Sequence, residues 1–113
     1  MTSGPWGEEQ AAGFLRNKGW RIAARNYRTR YGELDIIAEN EKYLVFVEVK
    51  TRKNNHFAQA REYVTPKKQE RLRITAEFWL QKNPTGLQIR FDVIEVYGTP
   101  GGRAEIIHIE DAF

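Results

Sequence analysis

The chain has 113 residues, with 18 Lys and Arg against 15 Asp and Glu for a net charge of +3, and it has no cysteine. That length suits one domain, which at this size buries roughly two thirds of its unfolded surface. The cysteine count excludes disulfide scaffolds, thiolate zinc sites and thiol nucleophiles, and so small a charge is only a modest attraction toward polyanions.

The opening Met1-Thr2-Ser3-Gly4-Pro5 has neither a basic nor an apolar signal region, so a cytoplasmic protein is expected. Glu8 to Lys18 reads as a helix, with Ala11, Ala12, Phe14 and Leu15 on one side and Gly19 as the stop. Its acids Glu8 and Glu9 are then in the first turn, where the helix dipole favours them. Trp20 to Tyr27 reads as a strand, Arg28 to Gly32 as a polar loop, and Leu34 to Ala38 as a second strand rich in β-branched residues.

Asn40-Glu41 marks a turn, and Tyr43 to Lys50 is the strongest strand, apolar on both faces until its last three residues, as a central strand would be. Its longest apolar run, Leu44 to Val47, is far shorter than the roughly 20 residues a membrane span needs, so no membrane partner is expected. Thr51 to His56 is a polar loop. Thr65-Pro66 opens a helix, Thr at the cap and Pro at the first position, that runs to about Lys82 before Asn83-Pro84-Thr85-Gly86 breaks the pattern. Two strands follow, Leu87 to Tyr97 and Ala104 to Glu110, around a flexible Gly98 to Gly102 turn. The order predicts a single α/β domain over residues 1–113, built on a central mixed sheet flanked by helices, with an ordered core of about 7–97 and a C-terminal strand over 104–110.

A two-residue loop at Asn40-Glu41 pairs Glu39 with Lys42 and sets Asp35 opposite Phe46, with Glu48 as its diagonal neighbour. Asp35, Phe46, Glu48 and Lys50 then share one face, the two carboxylates roughly 7–8 Å apart at the backbone. A loop with an odd number of residues would send Glu48 to the other face. An acid-x-Lys triplet arises by chance about once per ~150 positions, so Glu48-Val49-Lys50 acquires meaning only through Asp35. Paired carboxylates suit Mg²⁺ or Mn²⁺, and with a lysine they supply what phosphodiester hydrolysis needs: an activated water, a Lewis acid and a positive charge.

Other residues point less sharply. Lys67 and Lys68 sit in a first helical turn, where the dipole disfavours cations unless a phosphate or an acid compensates. Arg25, Arg28, Arg30, Arg52, Lys53, Arg71 and Arg73, interleaved with Tyr27, Tyr31 and His56, would track phosphates with aromatic contacts if they shared a surface, and would be scattered solvated charges if not. His56 reads as a surface residue, Asp92 as an internal ion pair, and Trp20 and Trp79 as core.

Five segments together resemble the YraN family of small bacterial endonuclease-like proteins: Gly4-Pro5-Trp6-Gly7-Glu8 with Ala11 and Ala12; Asn26-Tyr27-Arg28; Gly32-Glu33-Leu34-Asp35-Ile36-Ile37; Val45-Phe46-Val47-Glu48-Val49-Lys50-Thr51-Arg52; and Arg90-Phe91-Asp92-Val93-Ile94. The family in turn is similar to archaeal Holliday-junction resolvases of the restriction-endonuclease-like fold. One departure is Ala58 after Phe57, where the family usually has Gly. The resemblance implies a Mg²⁺- or Mn²⁺-dependent endonuclease acting on DNA, branched or recombination intermediates included. It implies Glu8 as a third acid beside Asp35 and Glu48 at the metal, Lys50 at the nucleophile, and a homodimer. Lys67, Lys68, Gln69 and Arg71 would face phosphate together with Arg28, Arg30 and Arg52. Two alternatives stand beside it: a non-catalytic nucleic-acid-binding module on the same fold, and a protein adaptor using the edge strand near 104–110.

Overall fold

The computed structural model describes residues 4–53 and 64–113, so His56 and the Phe57-Ala58 departure lie outside the described residues. Seven elements follow in order: α1 (Gly4–Asn17), β1 (Arg21–Thr29), β2 (Gly32–Glu39), β3 (Tyr43–Arg52), α2 (Pro66–Lys82), β4 (Gln88–Tyr97) and β5 (Glu105–Ile109). The five strands form one sheet in the order β1-β2-β3-β4-β5. Only β3 and β4 run parallel, α2 being the crossover between them, so the sheet is mixed with β3 at its centre.

The alternation of β3 explains why helices cover both faces. Val45 and Val47 pack with Ala11, Ala12 and Leu15 of α1, while Leu44 and Phe46 pack with Leu72 and Ala76 of α2. This is the expected single α/β domain, consistent with a nuclease-like fold. No helix among the described residues is long and apolar enough to cross a membrane.

Several boundaries differ from the expectation, among them the end of β3, which runs on through Thr51 and Arg52 where a loop was expected. Helix α1 starts at Gly4, not Glu8: Pro5 is tolerated there because first-turn N–H groups have no intrahelical partner. Glu8 and Glu9 therefore lie past the first turn, and the dipole does not account for them. The Arg28–Gly32 loop shrinks to Arg30-Tyr31, since Thr29 pairs with Gly32 and its hydroxyl accepts from the Tyr31 N–H at 3.1 Å. Between the register partners that flank the β2–β3 turn, Glu39 and Leu44, lie four residues, not two, Tyr43 at the head of β3 included. The Asn40 side chain accepts from the N–H groups of Lys42 and Tyr43, and Glu39 pairs with Leu44.

Helix α2 matches its signals closely. The Thr65 hydroxyl accepts from the Lys68 N–H at 3.2 Å, Pro66 is the first helical residue, and Asn83 closes the far end. At the opposite edge, Asp92 on β4 is fully buried, as an internal ion pair should be. It accepts two hydrogen bonds from Arg90 and one from the Asp111 N–H, and it bonds the His108 ring at 2.7 Å. These partners hold its carboxyl below the usual range against the cost of burial, and they tie the chain end to the sheet.

Candidate functional site

The longer loop changes the register but preserves its parity. Ile36 pairs with Val47 and Glu39 with Leu44, so one further step sets Asp35 opposite Glu48, where a two-residue loop had set it opposite Phe46. Four residues, like two, keep the parity of the count up to Ile36, and the Glu48 charge is near enough to act on Asp35. Pairing ends at Ile36–Val47, and beyond it an Asp35 carboxylate oxygen accepts the Val49 N–H at 2.8 Å, a side chain taking a place the β2 backbone has left.

The side-chain alternation of β2 is interrupted where this happens. Ile36 belongs to the α1-side cluster and Ile37 to the α2-side cluster, as alternation requires, yet Leu34 also packs on the α2 side. Alternation therefore breaks at Asp35. Opposite it on β1 is Asn26, with a left-handed φ of 53° that asparagine tolerates better than most residues. With its amide turned to satisfy both partners, Asn26 donates to Glu8 at 3.1 Å and to Glu33 at 3.3 Å.

Glu8 reaches this corner because α1 packs closely on the end of β3. A Cβ on Gly7 would come within 1.9 Å of the Thr51 hydroxyl, so no larger residue allows that approach. Burial pushes the Asp35 carboxyl up to about 7, and the Glu48 charge adds to the effect. The Val49 hydrogen bond opposes it, and Glu8 and Glu33 raise it further.

Glu48, only 8% exposed, receives an ion pair from Lys68 at 2.6 Å, in the first turn of α2. The cation that the helix dipole disfavours is thus held by a buried acid. Lys50, two residues beyond Glu48, is a register neighbour of Glu95 on β4. Glu95 is fully buried and accepts from the Tyr97 hydroxyl at 3.2 Å. Glu95 and Asn26 were not among the expected site residues. The signals were a charge inside the otherwise apolar stretch Val93–Tyr97, and an asparagine in mid-strand.

The proposed phosphate contacts separate into groups. Lys67, Lys68 and Arg71 line one cleft of about 260 Å³ with Tyr31 and Glu33. Arg30 lies over the Tyr31 ring beside it. Arg28 is paired with Glu33 at 3.2 Å, and Arg52 ends β3. Gln69 instead braces the start of α2, donating to the Val64 carbonyl at 2.8 Å. Arg25 binds Glu9, and Arg73 stacks over Phe91 and Phe113, so neither joins the cleft.

The donor set suits a hard cation. Asp35 and Glu48 bring two carboxylates and surplus negative charge to one corner, and Mg²⁺ commonly takes one or two carboxylates with water and phosphate completing its shell. Among the described residues no three His, Cys, Asp or Glu side chains converge to hold a metal ion. Glu8 reaches the pair through its charge.

Comparison with known proteins gives the same extent as the resemblance. The profile described as "Uncharacterised protein family UPF0102" matches residues 7–96. A UPF0102 protein of Syntrophomonas wolfei is 45% identical over 97% of this chain and 96% of its own length. One from Nocardia farcinica is 49% identical over 97% and 87%, and one from Rhodococcus opacus 42% identical over 100% and 97%.

Proposed function

We propose that this chain, which belongs to the UPF0102 family, is a Mg²⁺- or Mn²⁺-dependent endonuclease hydrolysing phosphodiester bonds in DNA. The observation that carries this reading is the Asp35–Glu48 pair: two carboxylates on adjacent strands, one pushed up to about 7 by burial and by the other's charge. Such a pair is relieved by a cation, and hard oxygen donors select Mg²⁺ or Mn²⁺.

Asp35 and Glu48 would hold that ion, which when bound supplies Lewis-acid polarisation of the phosphoryl group and acidifies water. Lys50, beyond Glu48 on β3, brings positive charge to the phosphoryl oxygens as negative charge builds there. Lys68, which pairs with Glu48 at 2.6 Å, would be the cation nearest to a phosphate at that corner. Glu8, held by Asn26, is the acid left to orient water. The resolvase resemblance directs the reading to branched or recombination intermediates, a homodimer and a cytoplasmic setting.

The test offers the purified protein labelled linear, flapped and four-way DNA with Mg²⁺ or Mn²⁺. Cleavage is expected, and it is lost in Asp35→Ala and Lys50→Ala. Cleavage persisting in either variant contradicts the assignment. The second reading, a non-catalytic nucleic-acid-binding module, is favoured by one observation: Lys68 already neutralises Glu48 at 2.6 Å. It predicts salt-dependent binding without turnover, unaffected by loss of the carboxylates.

A further inference from the structure

Two large apolar side chains are exposed among the described residues, Tyr31 at 39% and Phe78 at 37%. They lie together, their rings stacked with centroids 5.8 Å apart and planes 16° from parallel. Tyr31 is in the β1–β2 turn and Phe78 is on α2. The Thr29 and Thr75 hydroxyls bond across the gap at 3.2 Å, and Gly32 leaves only 3.3 Å from an added Cβ to the Thr75 oxygen. The neighbouring pair Tyr27–Trp79 meets edge-on and serves the core. Tyr31 and Phe78 are not in either core cluster.

The charges around this pair are mainly positive, and the one acid in the cleft, Glu33, is paired with Arg28. The Arg30 guanidinium is 5.3 Å from the Tyr31 ring centre, and Lys67, Lys68 and Arg71 line the cleft that Tyr31 borders. Lys67, Arg71 and Phe78 fall at helical spacings of four and seven, on one side of α2. Phe78 lies about 15 Å along the helix from Lys68, whose amine is on Glu48. A cationic track therefore runs from an exposed aromatic pair to the carboxylates.

We propose that Tyr31 and Phe78 form a stacking platform for an unpaired nucleobase, on a strand whose phosphates pass Arg71 and Lys67 toward Asp35 and Glu48. Aromatic faces with cations beside them are what unpaired strands bind, since every base offers a π-face and every linkage a phosphate. Protein interfaces are depleted in lysine, and a patch of two rings rimmed by cations is a poor match for one. Intact duplex keeps its base faces inside the stack, so the platform selects nucleic acid with at least one unpaired base near the site. This rests on reading the cleft as a nucleic-acid site, but its test requires no cleavage.

The experiment uses the full chain in EDTA, with 2-aminopurine in a single strand and in the same sequence as a blunt duplex, in DNA and RNA forms. Stacking is expected to quench the base in the single strand. Tyr31→Ala and Phe78→Ala each weaken single-strand binding by about tenfold, with blunt duplex binding unchanged and Tyr31→Phe behaving as the native chain. Circular dichroism confirms that the variants are folded. Whichever sugar binds tighter identifies the strand, and either supports the platform. Single-strand affinity within twofold of native in both alanine variants overturns it, as does blunt duplex binding as tight as single-strand binding. Quenching without any cleavage in Mg²⁺ would leave the platform standing and remove the nuclease reading.

Discussion

Replacing Asp35 with Asn is expected to stabilise the protein at neutral pH when no divalent cation is present. The native carboxyl is raised from 3.8 to about 7, chiefly by burial and then by Glu48. Between those values the folded state keeps a proton that the unfolded chain has released, so native stability falls as pH rises through the window and is constant above it. At about 1.4 kcal/mol per pH unit, the full window amounts to ~4 kcal/mol, and partial solvent access reduces this to about 2 kcal/mol. The amide still accepts the Val49 hydrogen bond but carries no charge, so the variant escapes the loss. Urea denaturation in EDTA should show near-equal stabilities at pH 4 and a gap of about 2 kcal/mol in favour of Asp35→Asn at pH 8. Added Mn²⁺ should then stabilise the native protein and not the variant. A gap that does not change with pH, or a variant less stable at pH 8, refutes the electrostatic reasoning.

The Lys68→Ala variant removes the cation that competes for Glu48, so calorimetry should find Mn²⁺ bound severalfold more tightly than by the native chain. Gly7→Ala forces a Cβ against the Thr51 hydroxyl and should cost about 1–3 kcal/mol in denaturant melts, with part recovered in the Gly7→Ala/Thr51→Ala double variant. Asp92→Ala leaves Arg90 and His108 without their buried partner and should cost about 3–5 kcal/mol, while Mn²⁺ affinity measured on the folded fraction stays native. Thr65→Ala removes the α2 cap that holds Lys68 in its turn and should cost ~1 kcal/mol in the same melts.

Much of this site was legible because its elements are locally consistent. The run Tyr43 to Val47 has the residues of a central strand, and Thr65-Pro66 carries its own cap chemistry, so both elements are found where the pattern puts them. Asp35 and Glu48 remain near enough for one charge to raise the other although the register is shifted from the expected one. What the sequence lacked was the count itself, since the Asn40 side chain closes the wider turn through hydrogen bonds that spacing does not reveal. The start of α1 was hidden because Gly4-Pro5-Trp6-Gly7 resembles a helix breaker, and only the contact with Thr51 shows why Gly7 must be small. Asn26 and Glu95 join the corner through pairing across strands, β1 with β2 and β3 with β4, that no local pattern encodes. Phe78 gained a role only once the β1–β2 turn was found beside it.

The most direct measurement of the metal-dependent site is a crystal soaked in millimolar Mn²⁺ and examined by anomalous scattering, alongside Asp35→Asn crystals treated identically. An anomalous peak between the Asp35 and Glu48 carboxylates, with the Lys68 amine displaced from Glu48 and no peak in the variant, is the predicted result. Native crystals with Lys68 still on Glu48 and no manganese at that corner, even with DNA bound, would contradict it.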